Sequence, residues 1–172
     1  MKTSEKSIPG KTLDPEQLRS AMRAWTAGVT IVAAAHEGVR HGMTVNSFTS
    51  ISLDPAWITI SLQQTSRTHA LIHKSGVFGI TILGLDQKDL ADRFAGLSPE
   101  LEDRFVGLAT ETYQTGAPLI KSGLAHLDCR VIQSILVGMN TLFIAEVVSA
   151  HTREAGPPLI YHNRGYWKLT DL

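Results

Sequence analysis

The amino-acid sequence predicts a mostly β protein whose strands form a closed or nearly closed antiparallel barrel, with a few peripheral helices. Two observations lead to this fold class. At least six segments of the 172-residue chain carry strand patterns, either alternating apolar and polar residues or short β-branched apolar runs. The helical segments are few and do not alternate regularly with the strands, which argues against a doubly wound parallel sheet.

The first half of the chain is predicted to contain an opening helix followed by a hairpin. Asp14 at the N-cap and Pro15 at the first helical position begin this helix, and Gly28 ends it. The β-branched run 29–35 predicts a buried strand, and residues 39–48 are predicted to return beside it after a Glu-Gly turn. Further strands are predicted over 57–62 and 77–83, and further helices over 66–74 and 86–94.

The rest of the chain is predicted to be rich in strands and to belong to the same domain. Residues 97–118 have a weak pattern and are expected to form a loop with a short helix around 101–105. No linker divides the sequence, so we expect a flexible N-terminus over residues 1–13 and one domain over residues 14–172. The remaining strands are predicted over 125–137, 141–152, 159–161 and 166–169.

The composition argues against several classes of function. Sixteen basic and sixteen acidic residues give a formal net charge of zero, whereas proteins that bind nucleic acid or anionic membranes usually have a basic excess. The apolar runs are too short for a membrane span, which needs ~20 residues, and no apolar segment typical of a signal peptide follows the N-terminus. A single cysteine suits a reducing compartment. We therefore expect a cytoplasmic protein with no nucleic-acid or membrane partner.

Several common catalytic motifs are absent from the sequence or incomplete. Residues 10–12 resemble the end of a phosphate-binding P-loop, but the earlier glycine of that motif is missing. No G-x-G-x-x-G, G-x-S-x-G or helical H-E-x-x-H occurs. His36 and His41 flank a turn without a carboxylate or thiol to complete a metal site, and we interpret them as exposed turn residues. Cys129 lies in a strand pattern and is interpreted as a small core residue.

Two segments rich in hydroxyl side chains are the strongest candidates for a binding site. The first, residues 42–55, holds five hydroxyl side chains and one side-chain amide between two predicted strands. The second, residues 61–69, brings hydroxyls and Arg67 to the start of a predicted helix, where free N–H groups and the helix dipole favour an anion. Each segment also has a simpler interpretation, a polar turn for the first and a helix N-cap by Thr65 or Ser66 for the second.

The same residues resemble a known protein family. G-M-T-V-N-S-F-T-S at 42–50, L-D-P at 53–55 and S-R-T-H at 66–69 are similar to the flavin reductase-like family. Its members are short-chain NAD(P)H:flavin oxidoreductases that serve two-component monooxygenases, and their fold is an FMN-binding split barrel, an antiparallel Greek-key-like barrel. The resemblance covers roughly residues 15–170. Supporting similarities lie at 23–32, 90–96, 103–105, 127–131, 142–147 and 158–162.

The resemblance also implies which residues form the site. Asn140 stands where the family often has a histidine, and its amide can hydrogen-bond a carboxamide but cannot carry a proton. No metal and no catalytic side chain are implied, because the cofactors carry the hydride transfer. The flavin-binding residues implied by the resemblance are Thr44, Val45, Asn46, Ser47, Ser61, Gln63, Ser66, Arg67, Thr68, Arg93 and Phe94. The residues implied near the nicotinamide are His126, Asn140, His162 and Tyr166.

Three functions of different classes are open at this point. The first is an NAD(P)H-dependent flavin reductase, expected to be a homodimer, that reduces FMN or FAD and supplies the reduced flavin to a partner monooxygenase. The second is a non-catalytic flavin- or haem-binding split barrel, which the asparagine at position 140 favours. The third is a barrel for another small ligand, with the hydroxyls only capping turns. The resemblance favours the first function and leaves the choices between FMN and FAD, and between NADH and NADPH, open.

Overall fold

The strands of the protein pair antiparallel throughout, and only a few short helices accompany them. A computed structural model describes residues 13–97, 103–153 and 156–170 of the chain. The predicted class, mostly β with peripheral helices, is confirmed. The expected flexible N-terminus lies outside the described residues, except for residue 13. The helices are α1 (Pro15–Met22), α2 (Arg67–Ser75) and α3 (Lys88–Ala95), and a 3₁₀ turn (Leu85–Gln87) precedes α3.

One seven-stranded sheet makes up most of the fold. In order across the sheet its strands are β3 (Val39–Val45), β2 (Thr30–His36), β6 (Val77–Ile82), β9 (Ala125–Val137), β10 (Asn140–Thr152), β5 (Ala56–Gln63) and β4 (Thr49–Leu53). Two small sheets join β1 (Ala27–Gly28), β11 (Ile160–His162) and β12 (Gly165–Trp167), and β7 (Thr110–Glu111) with β8 (Leu119–Ile120).

Strand β2 is buried on both of its faces. Val32 and Ala34 belong to the apolar core inside the curved sheet, together with side chains of β5, β6, β9 and β10. Ile31 and Ala33 belong to a second core, formed with α3 and the loops beyond it. Each of these four side chains is at most 2% exposed. The uninterrupted apolar run that predicts a buried strand therefore reflects two cores, one on each side of the same strand.

The two edge strands of the large sheet, β3 and β4, follow one another in the sequence. They are not hydrogen-bonded to each other among the described residues, so no ladder closes the barrel on that side. Residues 46–48, called here the crossing segment, carry the chain from one edge of the sheet to the other. The predicted strand over 39–48 therefore ends early, at Val45, and the separate strand β4 was not predicted.

Helix α1 is shorter than predicted. It begins as expected, with the Asp14 side chain accepting a hydrogen bond from the backbone N–H of Glu16 (3.0 Å), but it ends at Met22. Ala27 and Gly28 then pair with β11, from the other end of the chain, as strand β1. Pairing with a distant strand thus outweighs the helical spacing of the apolar residues, which reaches Trp25.

The loop after α3 differs from the prediction of a short helix around 101–105. The first two of those residues lie outside the described part, and residues 103–107 form a turn. Asp103 holds this turn by accepting hydrogen bonds from the Arg40 side chain (2.7 and 3.1 Å) and from the backbone N–H of Phe105 (2.9 Å). The side chain thus forms tertiary contacts that a local helical pattern does not reveal.

Two interpretations of single residues have different outcomes. Cys129 is buried in the core as predicted, and its burial raises the pKa of the thiol. The interpretation of His41 as an exposed turn residue is wrong, because it is only 8% exposed and its Nδ1 lies 2.8 Å from the Thr68 hydroxyl. Helix α2 packs over this part of β3, which a local pattern around the turn cannot show. None of the described helices has the length and apolar character needed to cross a membrane.

Gly42 of β3 is predicted to be intolerant of a side chain. A Cβ atom there would lie 2.8 Å from Cε1 of Phe94 and 3.1 Å from Cζ of Phe105, two rings of the second core. Gly42→Ala should therefore lower the free energy of unfolding by about 1–3 kcal/mol. Gly28→Ala is the matched control, because nothing lies within 4 Å of the position that a Cβ atom would take there. Equal unfolding midpoints for the two variants in a denaturant titration would contradict the tight contact.

Candidate active site

The backbone is anchored on both sides of Asn46, the first residue of the crossing segment. Before it, the Val45 carbonyl accepts a hydrogen bond from the Thr30 hydroxyl of β2 (2.8 Å). Within it, the Ser47 hydroxyl donates to the Ser61 carbonyl (2.9 Å) and accepts from the Ser61 backbone N–H (3.1 Å). Asn46 lies between these anchors and is exposed. These hydrogen bonds therefore fix the position of the uncharged Asn46 amide in the gap between the edge strands β3 and β4.

A cleft of about 230 Å³ opens on one side of Asn46. We call it the tyrosine cleft, and it is lined by Val29, Thr44, Asn46, Ala95, Leu97, Tyr161 and Tyr166. The Thr44 hydroxyl donates a hydrogen bond to the Ala91 carbonyl (2.6 Å), which ties β3 to α3. The cleft wall combines residues of β3, β11, β12 and α3 with residues of the adjoining loops, and it is apolar and aromatic with few polar groups, as is typical of small-molecule sites.

Tyr166 supplies a neutral phenol to the tyrosine cleft. Its ring packs edge-to-face against Tyr161, with 5.8 Å between the ring centroids, and Lys88 Nζ lies 5.7 Å from the centroid of Tyr166. Burial, reinforced by the nearby Asp92, raises the pKa of Tyr166 to about 12. The phenol therefore keeps its proton near neutral pH and donates it in a hydrogen bond to the Asp92 carboxylate.

A strip of polar residues, called here the polar strip, extends from the other side of Asn46 to the start of α2. It consists of Ser47, Ser61, Gln63, Ser66 and Arg67. Ser66 caps the helix by accepting a hydrogen bond from the backbone N–H of His69 (3.2 Å). Gln63 and Arg67 are exposed. The free N–H groups of the first turn and the Arg67 guanidinium together form a site suited to an anion.

Thr68 lies behind the polar strip and does not face outward. It is fully buried, and its hydroxyl is hydrogen-bonded to Nδ1 of His41. Burial lowers the pKa of His41 to about 4, with Arg104 and Arg67 acting in the same direction and Asp103 opposing them. His41 is therefore neutral at pH 7 and stabilises the start of α2 without adding a charge.

Arg93 and Phe94 lie on α3 and are not among the residues that line the tyrosine cleft. Phe94 is fully buried and packs edge-to-face on Phe105, with 4.9 Å between the centroids. Arg93 donates a hydrogen bond from Nη2 to the Val106 carbonyl (2.6 Å). The neighbouring Ala95 lines the cleft instead. The two side chains therefore connect α3 to the turn at residues 103–107.

The four residues implied near the nicotinamide are spread over three parts of the fold. Tyr166 lines the tyrosine cleft. His162 lies on β11 beside this cleft, with Nδ1 3.0 Å from the Thr26 hydroxyl. Asn140 pairs with Gln63 at the other end of the polar strip. His126 does not line the tyrosine cleft: it is fully buried, with Nε2 2.8 Å from the Ile120 carbonyl, and burial lowers its pKa.

A second cleft, which sequence reasoning missed, adjoins the tyrosine cleft. It has a volume of about 270 Å³, and we call it the arginine cleft. It shares Asn46 and Tyr161 with the tyrosine cleft, and its other lining residues are Arg19, Met22, Arg23, Trp25, Asn163 and Arg164. These residues come from the two ends of the chain, so only the pairing of β1 with β11 brings them together, and no local motif marks them.

The family of the protein follows from comparison with known sequences. The pattern described as a flavin reductase like domain matches residues 22–170. The chain belongs to this family. It is 39% identical over 152 residues to the reductase component of the 4-nitrophenol 4-monooxygenase/4-nitrocatechol 2-monooxygenase of Rhodococcus opacus, with 88% of this chain and 80% of the relative covered. It is 38% identical over 147 residues to the NADH-dependent flavin reductase StyB of Pseudomonas fluorescens, with 85% and 84% covered.

Solved structures of the same family have the same fold. The flavin reductase PheA2 in its native state superimposes with a TM-score of 0.84 at 33% sequence identity, over 92% of this chain and 100% of the other. The styrene monooxygenase flavin reductase SMOB from Pseudomonas putida S12 superimposes with a TM-score of 0.79 at 35% identity, over 90% and 98% of the two chains.

The outward-facing groups of the site suit the chemical parts of FMN. The tyrosine cleft offers aromatic and aliphatic walls, which suit a flat ring system. The exposed amides of Asn46 and Gln63 can donate and accept hydrogen bonds with a polyhydroxyl chain. Arg67 and the first turn of α2 suit a terminal phosphate. The residues present therefore fit this cofactor.

His41 is expected to make the protein less stable in mild acid. The pKa of His41 is about 4 in the folded chain, whereas an unperturbed histidine has a pKa of 6.5. As the pH falls from 6.5 to about 4, only the unfolded chain therefore binds a proton at this residue. The contribution of His41 to the free energy of unfolding is complete above pH 6.5 and decreases steadily as the pH falls to about 4. The unfolding midpoint of His41→Gln should therefore fall less than that of the wild type over this window. Parallel curves for the two proteins would contradict the assignment.

Proposed function

We propose that this protein is an NAD(P)H-dependent flavin reductase that transfers a hydride from reduced nicotinamide to FMN or FAD. The observation that carries the proposal is the position of Asn46, which joins the aromatic cleft to the polar strip that ends at α2. One continuous surface thus offers a ring-binding cleft, hydrogen-bonding amides and an anion site, in a chain of the flavin reductase-like family. The reduced flavin is then released to a partner monooxygenase.

The role of the protein in this reaction is to bind, orient and exclude water. When bound, the flavin supplies the ring that accepts the hydride, so no side chain has to act as a nucleophile. The walls of the tyrosine cleft would hold the flavin ring against the nicotinamide ring and limit the access of water to them. The Asn46 amide is a hydrogen-bond donor that can stabilise negative charge as it develops.

The names of relatives support a supplying role and the use of NADH. The Rhodococcus opacus protein is named as the reductase component of a monooxygenase, and StyB is named as an NADH-dependent flavin reductase. We extend both properties to this chain: NADH is the preferred reductant, and a separate oxygenase consumes the product. A buried single cysteine agrees with work in the reducing cytoplasm.

The first test is the oxidation of NADH and of NADPH by purified protein with no flavin, with FMN and with FAD. We expect oxidation to rise and saturate with flavin, and NADH to be the better substrate. Folded protein that binds FMN without oxidising either nucleotide would overturn the reductase and favour a non-catalytic flavin-binding barrel. Binding of haem in place of FMN would do the same.

Variants of Asn46 and of Arg67, in the polar strip, test the proposed flavin-binding residues. Asn46→Ala and Arg67→Gln should each raise the apparent KM for FMN about tenfold, since one hydrogen bond or charged contact is lost. Both side chains are exposed, so the unfolding midpoints should change little. Arg130→Gln, at an exposed position of β9, is the control for the change in charge and should keep the wild-type KM. Unchanged KM values in both site variants would contradict the assignment.

We also propose that the protein is a homodimer. Large apolar side chains are exposed on β4, β5, β9 and the turn from β9 to β10, all in the half of the large sheet that runs from β9 to the edge strand β4. A second copy of the same surface would bury them by twofold symmetry. They are Ile51, Leu53, Trp57, Ile132, Ile135, Leu136, Val137 and Met139.

A charge on this apolar surface should prevent dimer formation. Leu136 is 76% exposed, so Leu136→Glu leaves the fold of one chain intact but places a charge in the proposed interface. Sedimentation equilibrium should give a dimer for the wild type and a monomer for this variant. Val39→Glu, at a 53% exposed position on the opposite edge strand, is the control and should remain a dimer. A wild-type monomer, or a dimer of Leu136→Glu, would contradict the proposed interface.

A further inference from the structure

We infer that the arginine cleft binds the adenosine diphosphate half of a dinucleotide. The inference rests on the proposed flavin reductase function and adds a second binding region beside the tyrosine cleft. NADH and FAD both carry this half, whereas FMN and reduced nicotinamide mononucleotide lack it. The shared chemistry is an adenine ring joined through ribose to a pyrophosphate.

The two walls of the arginine cleft are held together by defined contacts. The backbone N–H of Asn163 donates a hydrogen bond to the Arg23 carbonyl (3.2 Å). The Thr26 hydroxyl is hydrogen-bonded to Nδ1 of His162 (3.0 Å). Ala27 pairs with Tyr161 in the small sheet. The end of α1 and the turn between β11 and β12 are therefore fixed relative to one another, and the cleft between them is built into the fold.

Two of the three arginines that line the cleft have no carboxylate partner among the described residues. Arg19 forms an ion pair with Glu16, on its own helix. Within residues 13–97, 103–153 and 156–170, neither Arg23 nor Arg164 forms an ion pair, and the Nε atom of Arg23 is buried without a hydrogen-bond partner. A chain with zero net charge thus gathers three guanidinium groups in one cleft of about 270 Å³. Guanidinium groups bind phosphate oxygens through paired N–H donors, so a pyrophosphate complements this charge.

The backbone conformation of the turn between β11 and β12 indicates that Arg164 has a role other than stabilising the fold. Asn163 and Arg164 have φ angles of +44° and +64°, in the left-handed region. Two-residue hairpin turns of this kind favour Asn followed by Gly, because a side chain at the second position is strained. The chain has arginine there, which directs a guanidinium toward the cleft at a cost in backbone energy.

An aromatic side chain completes the cleft. Trp25 lines it and is 69% exposed, so its indole face is free to stack on a planar base. Asn163 adds an amide for hydrogen bonds. Because the arginine cleft shares Asn46 and Tyr161 with the tyrosine cleft, NADH with its nicotinamide end in the tyrosine cleft can reach the arginines with its adenosine diphosphate half.

Direct binding of ADP to the protein tests the site without any redox reaction. Calorimetry should give saturable binding to the wild type and about tenfold weaker binding to Arg23→Gln, the loss expected for one charged contact. Arg164→Gly is the sharper variant, because it relieves the strained turn: its unfolding midpoint should be equal to or above that of the wild type while ADP binding falls about tenfold. Arg130→Gln should bind as the wild type does. Unchanged ADP affinity in Arg164→Gly, or no ADP binding by the wild type, would overturn the inference.

Kinetics identify which dinucleotide uses the cleft. If NADH does, Arg164→Gly should raise the KM for NADH about tenfold and leave the KM for reduced nicotinamide mononucleotide within twofold. If FAD does, the KM for FAD should rise in the same way and that for FMN should not. Equal increases for all four compounds would overturn the inference, since the effect would then not depend on the adenosine half. Failure of the proposed function appears separately, as a wild type that oxidises no nucleotide although it binds ADP.

Discussion

Burial of both faces of β2 is the constraint on which the rest of the structure depends. Apolar side chains enclose the middle of this strand from two sides, so no polar ligand can be bound there. Binding groups must lie where strands end. β3, which pairs with β2, ends at Val45, whose carbonyl is held by Thr30 of β2. Asn46 follows immediately, so the core itself fixes the position of the residue that we propose to be central to binding.

The crossing segment also explains how hydroxyl groups are used in this protein. Thr44, Ser47 and Thr68 direct their hydroxyls at Ala91, Ser61 and His41, respectively, and thereby join β3 to α3, the crossing segment to β5, and α2 to β3. In our proposal the amides and Arg67 contact the ligand, and these hydroxyls keep them in place. Arg67 is the only cation of the polar strip. A binding strip with so little charge holds the flavin phosphate weakly, which suits a flavin that leaves after reduction.

Much of the fold could be predicted from the sequence because its strands carry strong local patterns. The runs that became β2, β6, β9 and β10 are apolar or alternating, and each forms a strand close to the predicted bounds. The end of α1 and the existence of β4 could not be predicted, since pairing with distant strands decides both. The burial of His41 depends on the packing of α2 over β3, which the sequence around the turn does not show.

The candidate site was predictable in its motifs but not in the orientation of its side chains. The resemblance named Asn46 and Arg67, which are exposed along the proposed flavin path, but also Thr68 and Phe94, which are fully buried. Tyr161, which lines both clefts, lies in a predicted strand and in the family similarity over 158–162, but neither marked it as a site residue. Residues that depend on the meeting of the two chain ends, as in the arginine cleft, need the three-dimensional structure.

A single-turnover experiment tests the central claim most directly: the protein brings reduced nicotinamide and flavin together for hydride transfer. Protein mixed with FMN would be combined rapidly with NADH, and with NADH deuterated at the transferred position, while the flavin absorbance is followed. The account predicts that the absorbance is lost in one phase, that its rate saturates with NADH, and that deuterium slows it. Flavin that stays oxidised, or is reduced no faster than without the protein, would contradict it.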